Sequence, residues 1–475
     1  MDEATDEAEE RTRGKLDEIT RLCLDSLGEG TWAIVLWLLV WQLASFLIGS
    51  SLILAGPFQV LVALLRLLPT AAFWSIIASS GARILTGCLI GYLVALTLAA
   101  LAYRAHTVRE LLQPAMSVAK GTPIVCVIVV LLIWFGSESV SSISVFLLVL
   151  PAIYFSVLEG LDRLDPAMRE LFFVFRIRGL QRQLAYVWPG VLPYLVATSE
   201  TAISMSWKAG IAAELIGVPA GTIGERIYQS KILLETPDLF AWTAAVVLMA
   251  WACERAFITL LRHSAPASIR LAARLRPNRV AEPPGEIQAR DLLIGYGETA
   301  VACAPSFELP APEILCLSAP SGSGKTTLLK TIAGIIEPLD GNIEAPASMS
   351  MEFQDARLID ELSCVDNVLL VSARDLTRDE VCGLIEEILP EQVADAAAGE
   401  LSGGQQRRLE LVRALAAPSS VVLLDEPFAG LDDAARTAAL DYIDRHLEGR
   451  TLIIATHDVR DADELGALVL SIAGA

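Results

Sequence analysis

Apolar residues run without a charge from Thr31 to Leu65, 35 positions, well beyond the ~20 that a membrane-crossing helix requires. Further apolar stretches follow at about 73–102, 119–136, 140–158, 189–218 and 239–260. The pattern predicts six spanning helices. Past Val280 the pattern changes. Short apolar runs such as Ile314–Leu317 and Val421–Leu424 read as buried strands, and helical periodicity follows at Leu328–Ile332. Between the two regimes, Pro277, Pro283 and Pro284 stand among charged and small residues, the composition of a linker. The expected division is an acidic segment 1–30, a membrane domain 31–265, a linker 266–288 and a soluble α/β domain 289–475.

The longest loop of the membrane half, 159–188, holds Asp165-Pro166, an N-cap acid followed by proline at the first helical position. Met168, Leu171, Phe172 and Phe175 then recur at helical spacing, so a short amphipathic helix is expected, resting on the membrane or on a partner. The fifth span carries Glu200, Lys208 and Glu214, and the second carries Arg83. Ionisable groups at membrane depth line pathways or pair with one another; each could also sit at an interface.

Charge and composition narrow the class. Hydrophobic residues make up 54% of the 475, and the mean hydropathy of +0.53 excludes an ordinary soluble enzyme. Net charge is −20, which argues against nucleic acid as a partner. Residues 1–280 hold 23 bases and 22 acids, whereas 281–475 hold 13 and 34, so the acidity belongs to the second half. Segment 1–30, with ten acids and four bases, is expected to be a solvated cytoplasmic helix, and the first span, too long and preceded by acids, is not expected to be a cleavable signal. With both ends inside, 17 lysines and arginines flank the spans on the inner side and three on the outer, which favours that orientation. The eight cysteines form no CxxC pair, as expected of reduced thiols.

The chemistry lies in the second half. Ser321-Gly322-Ser323-Gly324-Lys325-Thr326-Thr327 sits between a strand and a helix, the setting of a phosphate-binding loop. There backbone N–H groups turn toward an anion, Lys325 reaches the β- and γ-phosphates, and the Thr326 hydroxyl ligates magnesium. Ala319 occupies the place of the usual first glycine. Val421–Leu424 runs into Asp425 and Glu426. Asp425 suits the magnesium shell, and Glu426 suits a base that activates water.

Leu401-Ser402-Gly403-Gly404-Gln405, together with those two motifs, makes residues 290–475 resemble the ATP-binding cassette (ABC) family, whose fold is that of a P-loop NTPase. The resemblance implies ATP and Mg2+ as ligands and roles for matching residues. Gln354 would be the Q-loop glutamine and a magnesium contact, Asp432 the D-loop acid, His457 the switch histidine and Tyr296 the aromatic that stacks on adenine. Lys325 to Gln354 is shorter than is usual, and Gly341–Ser350 reads as a trimmed hairpin.

Residues 50–262 resemble the permeases of ABC importers, most closely the nitrate/sulfonate/taurine type. The resemblance rests on Glu170 through Pro189 and Pro193, Trp207-Lys208, Ala213-Glu214, Gly221 and Gly224. Arg176 replaces the usual glycine of the loop that docks on the cassette, and Leu171 and Phe172 replace alanines. The pairing implies an ATP-hydrolysing importer of a small solute in the cytoplasmic membrane of a prokaryote, dimerised with a second copy of itself and served by a separate solute-binding protein. An exporter half-transporter and a non-transporting membrane ATPase are the alternatives.

Overall fold

The computed structural model describes residues 32–275, 283–320, 322–390 and 393–474. The acidic segment 1–30 and Ser321 therefore lie outside the described residues. The described residues divide into two compact units, one within 32–158 and 197–258, the other within 159–196 and 259–474.

The membrane half is helical: α1 (Trp32–Ile48), α2 (Pro57–Leu67), α3 (Ala71–Arg104), α4 (His106–Gly121), α5 (Ile124–Asp162), α6 (Pro166–Val174), α7 (Gly179–Arg182), α8 (Trp188–Gly217), α9 (Ile223–Ile232) and α10 (Thr236–Arg274). Among the described residues, α3, α5 and α10 are long and apolar enough to cross a membrane.

Three expected boundaries need correction. The charge-free run 31–65 is not one helix, because α1 ends at Ile48 and α2 starts only at Pro57, with proline at its first position. The expected third span, 119–136, is broken once, near its start, and the break at Gly136 falls where that span was expected to end. Thr122 is extended ahead of Pro123, which lacks an N–H and disfavours helix in the residue before it. Gly136 then takes φ 73° and ψ 177°, which glycine alone adopts readily, and separates 124–135 from 137–162. The expected linker start is also wrong: α10 continues through Pro266 to Arg274, because Ile269 and Ala272 are buried in a core and hold the last turns.

The soluble half has two sheets. Strands β1 (Ile287–Tyr296), β2 (Thr299–Ala304), β3 (Phe307–Leu309) and β4 (Ile314–Ser318) precede α11 (Lys325–Ile332), β5 (Asp340–Glu344) and β6 (Met349–Glu352). Then follow α12 (Cys364–Leu369), α13 (Arg378–Glu386), α14 (Gly403–Ala416), β7 (Val421–Asp425), α15 (Asp433–His446), β8 (Thr451–Thr456), α16 (Val459–Glu464), β9 (Leu468–Ser471) and β10 (Ala473–Gly474). The first sheet is antiparallel, in the order β10-β2-β1-β3, with β5 also on β1. The second, β6-β7-β8-β4-β9, is parallel. Residues 341–350 are thus no hairpin: β5 pairs with β1 and β6 with β7, in different sheets. The predicted strands at 314–317 and 421–424 form β4 and β7, whose residues 421–425 are all buried, as expected of a parallel sheet covered on both faces.

In the same unit, α6 packs against the soluble half. Asp165 caps it through the Ala167 N–H (2.9 Å), and Leu171, Phe172, Val174 and Phe175 join the core that also holds Leu328, Met351 and Phe353. Of the two surfaces open to this amphipathic helix, it uses protein.

Candidate nucleotide site

The loop between β4 and α11 forms one wall of the site. Gly324 holds a left-handed conformation (φ 94°) immediately before α11, and a Cβ there would stand 2.8 Å from that of Ala302. Both facts require glycine. Ala319 is buried in the core and is not among the positive-φ residues, so its methyl group is packed without backbone strain. Lys325, 5% exposed, donates to the carbonyl oxygens of Ala319 (2.5 Å) and Pro320 (3.3 Å) and lies 3.8 Å from Glu426 Oε1. A cavity of about 270 Å3 opens here, lined by Val301, Gly322, Gly324, Lys325, Thr326, Thr327, Gln354 and Glu426.

The opposite wall comes from the C-terminal edge of the parallel sheet. Asp425 ends β7, 1% exposed, and neither of its oxygens accepts a hydrogen bond among the described residues. Burial pushes its carboxyl up from the ordinary range, against the pull of the nearby Thr326 hydroxyl. A buried carboxylate without donors is costly unless a cation completes it. With Asp425, the Thr326 hydroxyl and the Gln354 amide oxygen, 3.5 Å from Thr326 Oγ1, the donors are hard oxygens, which fit Mg2+.

Glu426 follows at φ 53° and donates its N–H to Ala455 O (2.8 Å). Its carboxylate lies between Lys325 and His457, with Oε2 3.8 Å from His457 Nδ1. The ring of His457 is mostly exposed.

The other expected residues stand apart from this cavity. Ser402 caps α14 in a reciprocal box with Gln405, whose Oε1 accepts from Ser402 N (2.9 Å), leaving Gly403 and Gly404 at the helix start. Asp432 caps α15 through the Ala435 N–H (2.8 Å). Tyr296, at the end of β1, is half exposed. None of these lines the cavity.

Sequence reasoning missed a band of charge beside the site. On α6, Glu170 meets Lys330 (3.0 Å) and Arg357 (2.9 Å). Burial would lift its carboxyl, but these two cations outweigh burial and hold it below the usual range. Arg357 also donates to Ala167 O (3.0 Å), and its guanidinium lies 3.7 Å from the centre of the Phe353 ring. Gln181 donates to Leu370 O (3.0 Å). Arg413, Glu410 and Glu352 are buried beneath. The signal in the sequence is local: Glu352 stands between Met351 and Phe353, and Glu410 between Leu409 and Leu411. Arg176 takes φ 50°, which explains the expectation of glycine at that position.

In the membrane half, Arg83 is paired with Glu138 (2.5 Å). Glu214 is fully buried, with Oε2 accepting from Ser80 Oγ (2.8 Å) and Gly224 N (3.2 Å). Lys208 is exposed on α8.

Residues 87–268 match the family described as the binding-protein-dependent transport system inner membrane component. Residues 304–429 match the ABC transporter family. An aliphatic sulfonates import ATP-binding protein of Rhodococcus jostii is 36% identical over 194 residues, 39% of this chain and 78% of that protein. Another, from Paracoccus denitrificans, is 33% identical over 188 residues, 39% of this chain and 78% of that protein. A solved dimeric bacterial ABC transporter cassette is 23% identical, with a TM-score of 0.35, over 39% of this chain and 94% of that one. With both matches in a single polypeptide, the chain belongs to the ABC transporter family, as an importer-type fusion of a multi-pass permease and an ATP-hydrolysing cassette.

Proposed function

We propose that two copies of this chain form an ATP-driven importer of small organic anions of the aliphatic sulfonate class, fed by a separate extracytoplasmic solute-binding protein. Each copy contributes six crossings of a prokaryotic cytoplasmic membrane, with both ends inside. The division is a permease through Arg274, a short linker and a cassette from about Ile287. The observation that carries the reading is the seat of α6: a helix from the permease-matching segment is held in the cassette by Glu170, Lys330 and Arg357.

Each ATP lies between the phosphate loop of one copy and Ser402, Gly403 and Gly404 of the other, which accounts for the separation of that turn from the cavity of its own chain. Gly322 to Thr327 cradle the phosphates, with Ser321 and Ser323, and Tyr296 stacks on adenine. Gln405 holds the signature turn in shape, and Asp432 lies at the contact between copies. Glu426 takes the proton of the attacking water, and His457 orients on the γ-phosphate. Thr326, Gln354 and Asp425 hold Mg2+, which supplies charge neutralisation at the phosphates. Clamping of the cassettes moves α6 and the spans as a rigid-body switch.

The test is cross-linking in native membranes, followed by purification and mass spectrometry. Co-purification of a secreted or lipid-anchored solute-binding protein that carries a sulfonate is the expected result. Recovery of self-dimers alone, where a control importer captures its binding protein, would favour the exporter or regulatory alternatives.

A further inference from the structure

The segment from Phe353 to Arg357 is gripped at both ends by one helix, α14, and the grip at the nucleotide end comes from Arg407. Its Nη1 donates to Phe353 O (2.5 Å) and its Nη2 to Gln354 O (2.7 Å). At the far end, Arg413 donates to Arg357 O (2.7 Å), while Glu410 Oε1 accepts from Arg357 N (2.7 Å) and Arg413 Nη2 (2.7 Å). Beneath Arg407 lies Glu352, fully buried, with Oε1 3.6 Å from Arg407 Nε and neither oxygen hydrogen-bonded among the described residues. Glu410 Oε2 stands 4.0 Å from Arg407 Nη1.

Two consecutive carbonyls bound by one planar guanidinium fix the peptide planes on both sides of Gln354. The direction in which the Gln354 side chain leaves the backbone is then set, and its amide oxygen lies 3.5 Å from Thr326 Oγ1. The same α14 begins at Ser402, the turn that meets the partner's nucleotide in the reading above. One rigid helix thus joins the signature turn to the carbonyls that aim Gln354.

We propose that Arg407 is a positioning residue for Gln354, transmitting engagement of the Ser402 turn to the magnesium side of the chain's own site, with the buried Glu352 carboxyl packed beneath the guanidinium. The inference rests on the role assigned to Gln354 in the proposed function. A lysine at 407 keeps the charge above Glu352 but cannot span two carbonyls. An alanine leaves two buried carboxylates short of a cation and risks the fold, so R407K carries the decisive reading.

The experiment measures steady-state ATP hydrolysis by the full chain in lipid nanodiscs, with ATP and Mg2+ varied separately. R407K is expected to lower kcat about fivefold or more and to raise the Mg2+ concentration for half-maximal rate. The KM for ATP should stay within about twofold, because the phosphate loop is untouched. In a Q354A background, R407K should change kcat by less than about twofold, since residues that act through one another are not additive. Full additivity of the two variants, or a defect without a change in Mg2+ dependence, would overturn the inference while leaving the site reading intact. Wild-type kinetics in Q354A alone would overturn the Gln354 reading, and the inference with it.

Discussion

Two buried carboxylates, one in each half of the chain, have opposite surroundings. Glu214 in the membrane half is met by donors, Ser80 Oγ and the Gly224 N–H. Ser80 Oγ in turn accepts from the Ile223 N–H (2.9 Å), so the pair secures the start of α9. Asp425 in the cassette is equally buried, no backbone N–H reaches its oxygens among the described residues, and the nearby Thr326 hydroxyl is what opposes the cost of burial. Glu214 receives two donors on Oε2 and none on Oε1, and the two donors tie it to α3 and to the start of α9. Asp425, beside the Thr326 hydroxyl and the Gln354 amide oxygen, is a candidate to hold a cation, and the fold bears the cost of its burial. Burial alone does not separate structural from chemical roles; the donor inventory does.

That contrast predicts opposite signs. Asp425→Asn should lower Mg2+-dependent hydrolysis by about 100-fold, the several kcal/mol that a metal supplies converted at 1.36 kcal/mol per tenfold. It should also raise the thermal unfolding temperature measured without Mg2+, because an unpaired buried charge is removed. Glu214→Ala should do the reverse, destabilising the membrane half by about 1–3 kcal/mol through stranded donors while leaving ATP affinity unchanged. Nucleotide titration and thermal unfolding in lipid check both. Equal signs for the two variants would break the comparison.

Gly224→Ala sharpens it. A Cβ there would lie 2.4 Å from Glu214 Cβ and 2.5 Å from its carbonyl carbon, so the latch must open, at about 1–3 kcal/mol. A thermal unfolding temperature equal to that of the wild type would show that the contact is slack.

Glu352 gives a smaller effect, visible through pH. Burial raises its carboxyl well above the ordinary range, although Arg407 opposes the shift. Between the unfolded pKa and this raised folded value, the native state holds more protons than the unfolded one, so stability falls as pH rises. Glu352→Gln should flatten that slope, with a larger gain in unfolding temperature on the alkaline side of the window than on the acidic side. Parallel pH profiles for wild type and variant would contradict the assignment. The smallest expected change is Gly383→Ala in α13. A Cβ there meets nothing within 4 Å, and the helix should gain about 0.4–1 kcal/mol in chemical denaturation.

The two halves also differed in what their sequences revealed. In the cassette, phosphate chemistry demands specific residues at fixed spacing, so the loop at 322–327 and the strand ending at Asp425 could be placed in advance, whereas the capping of α14 by Ser402 could not. Ala319 proved harmless because a methyl group fits the core there. In the membrane half, apolar runs announce helices but not where they break. Pro123 interrupts a stretch that hydropathy alone joins, and Pro266 fails to end α10 because Ile269 and Ala272 are buried beyond it. The partners that seat α6, Lys330 and Arg357, the contacts of Glu214 and the grip of Arg407 on Gln354 were hidden for a common reason. Each depends on partners far away in the chain, and spacing along the sequence does not encode them.

The central claim is that this chain hydrolyses ATP with Glu426 as its base, beside Lys325 and His457. The most direct test compares the full chain with its Glu426→Gln variant in lipid, following phosphate release and retained nucleotide together. The account predicts turnover by the wild type and a fall of about 10²–10⁴ in the variant, with ATP kept bound. Equal rates of phosphate release from the two proteins would contradict it.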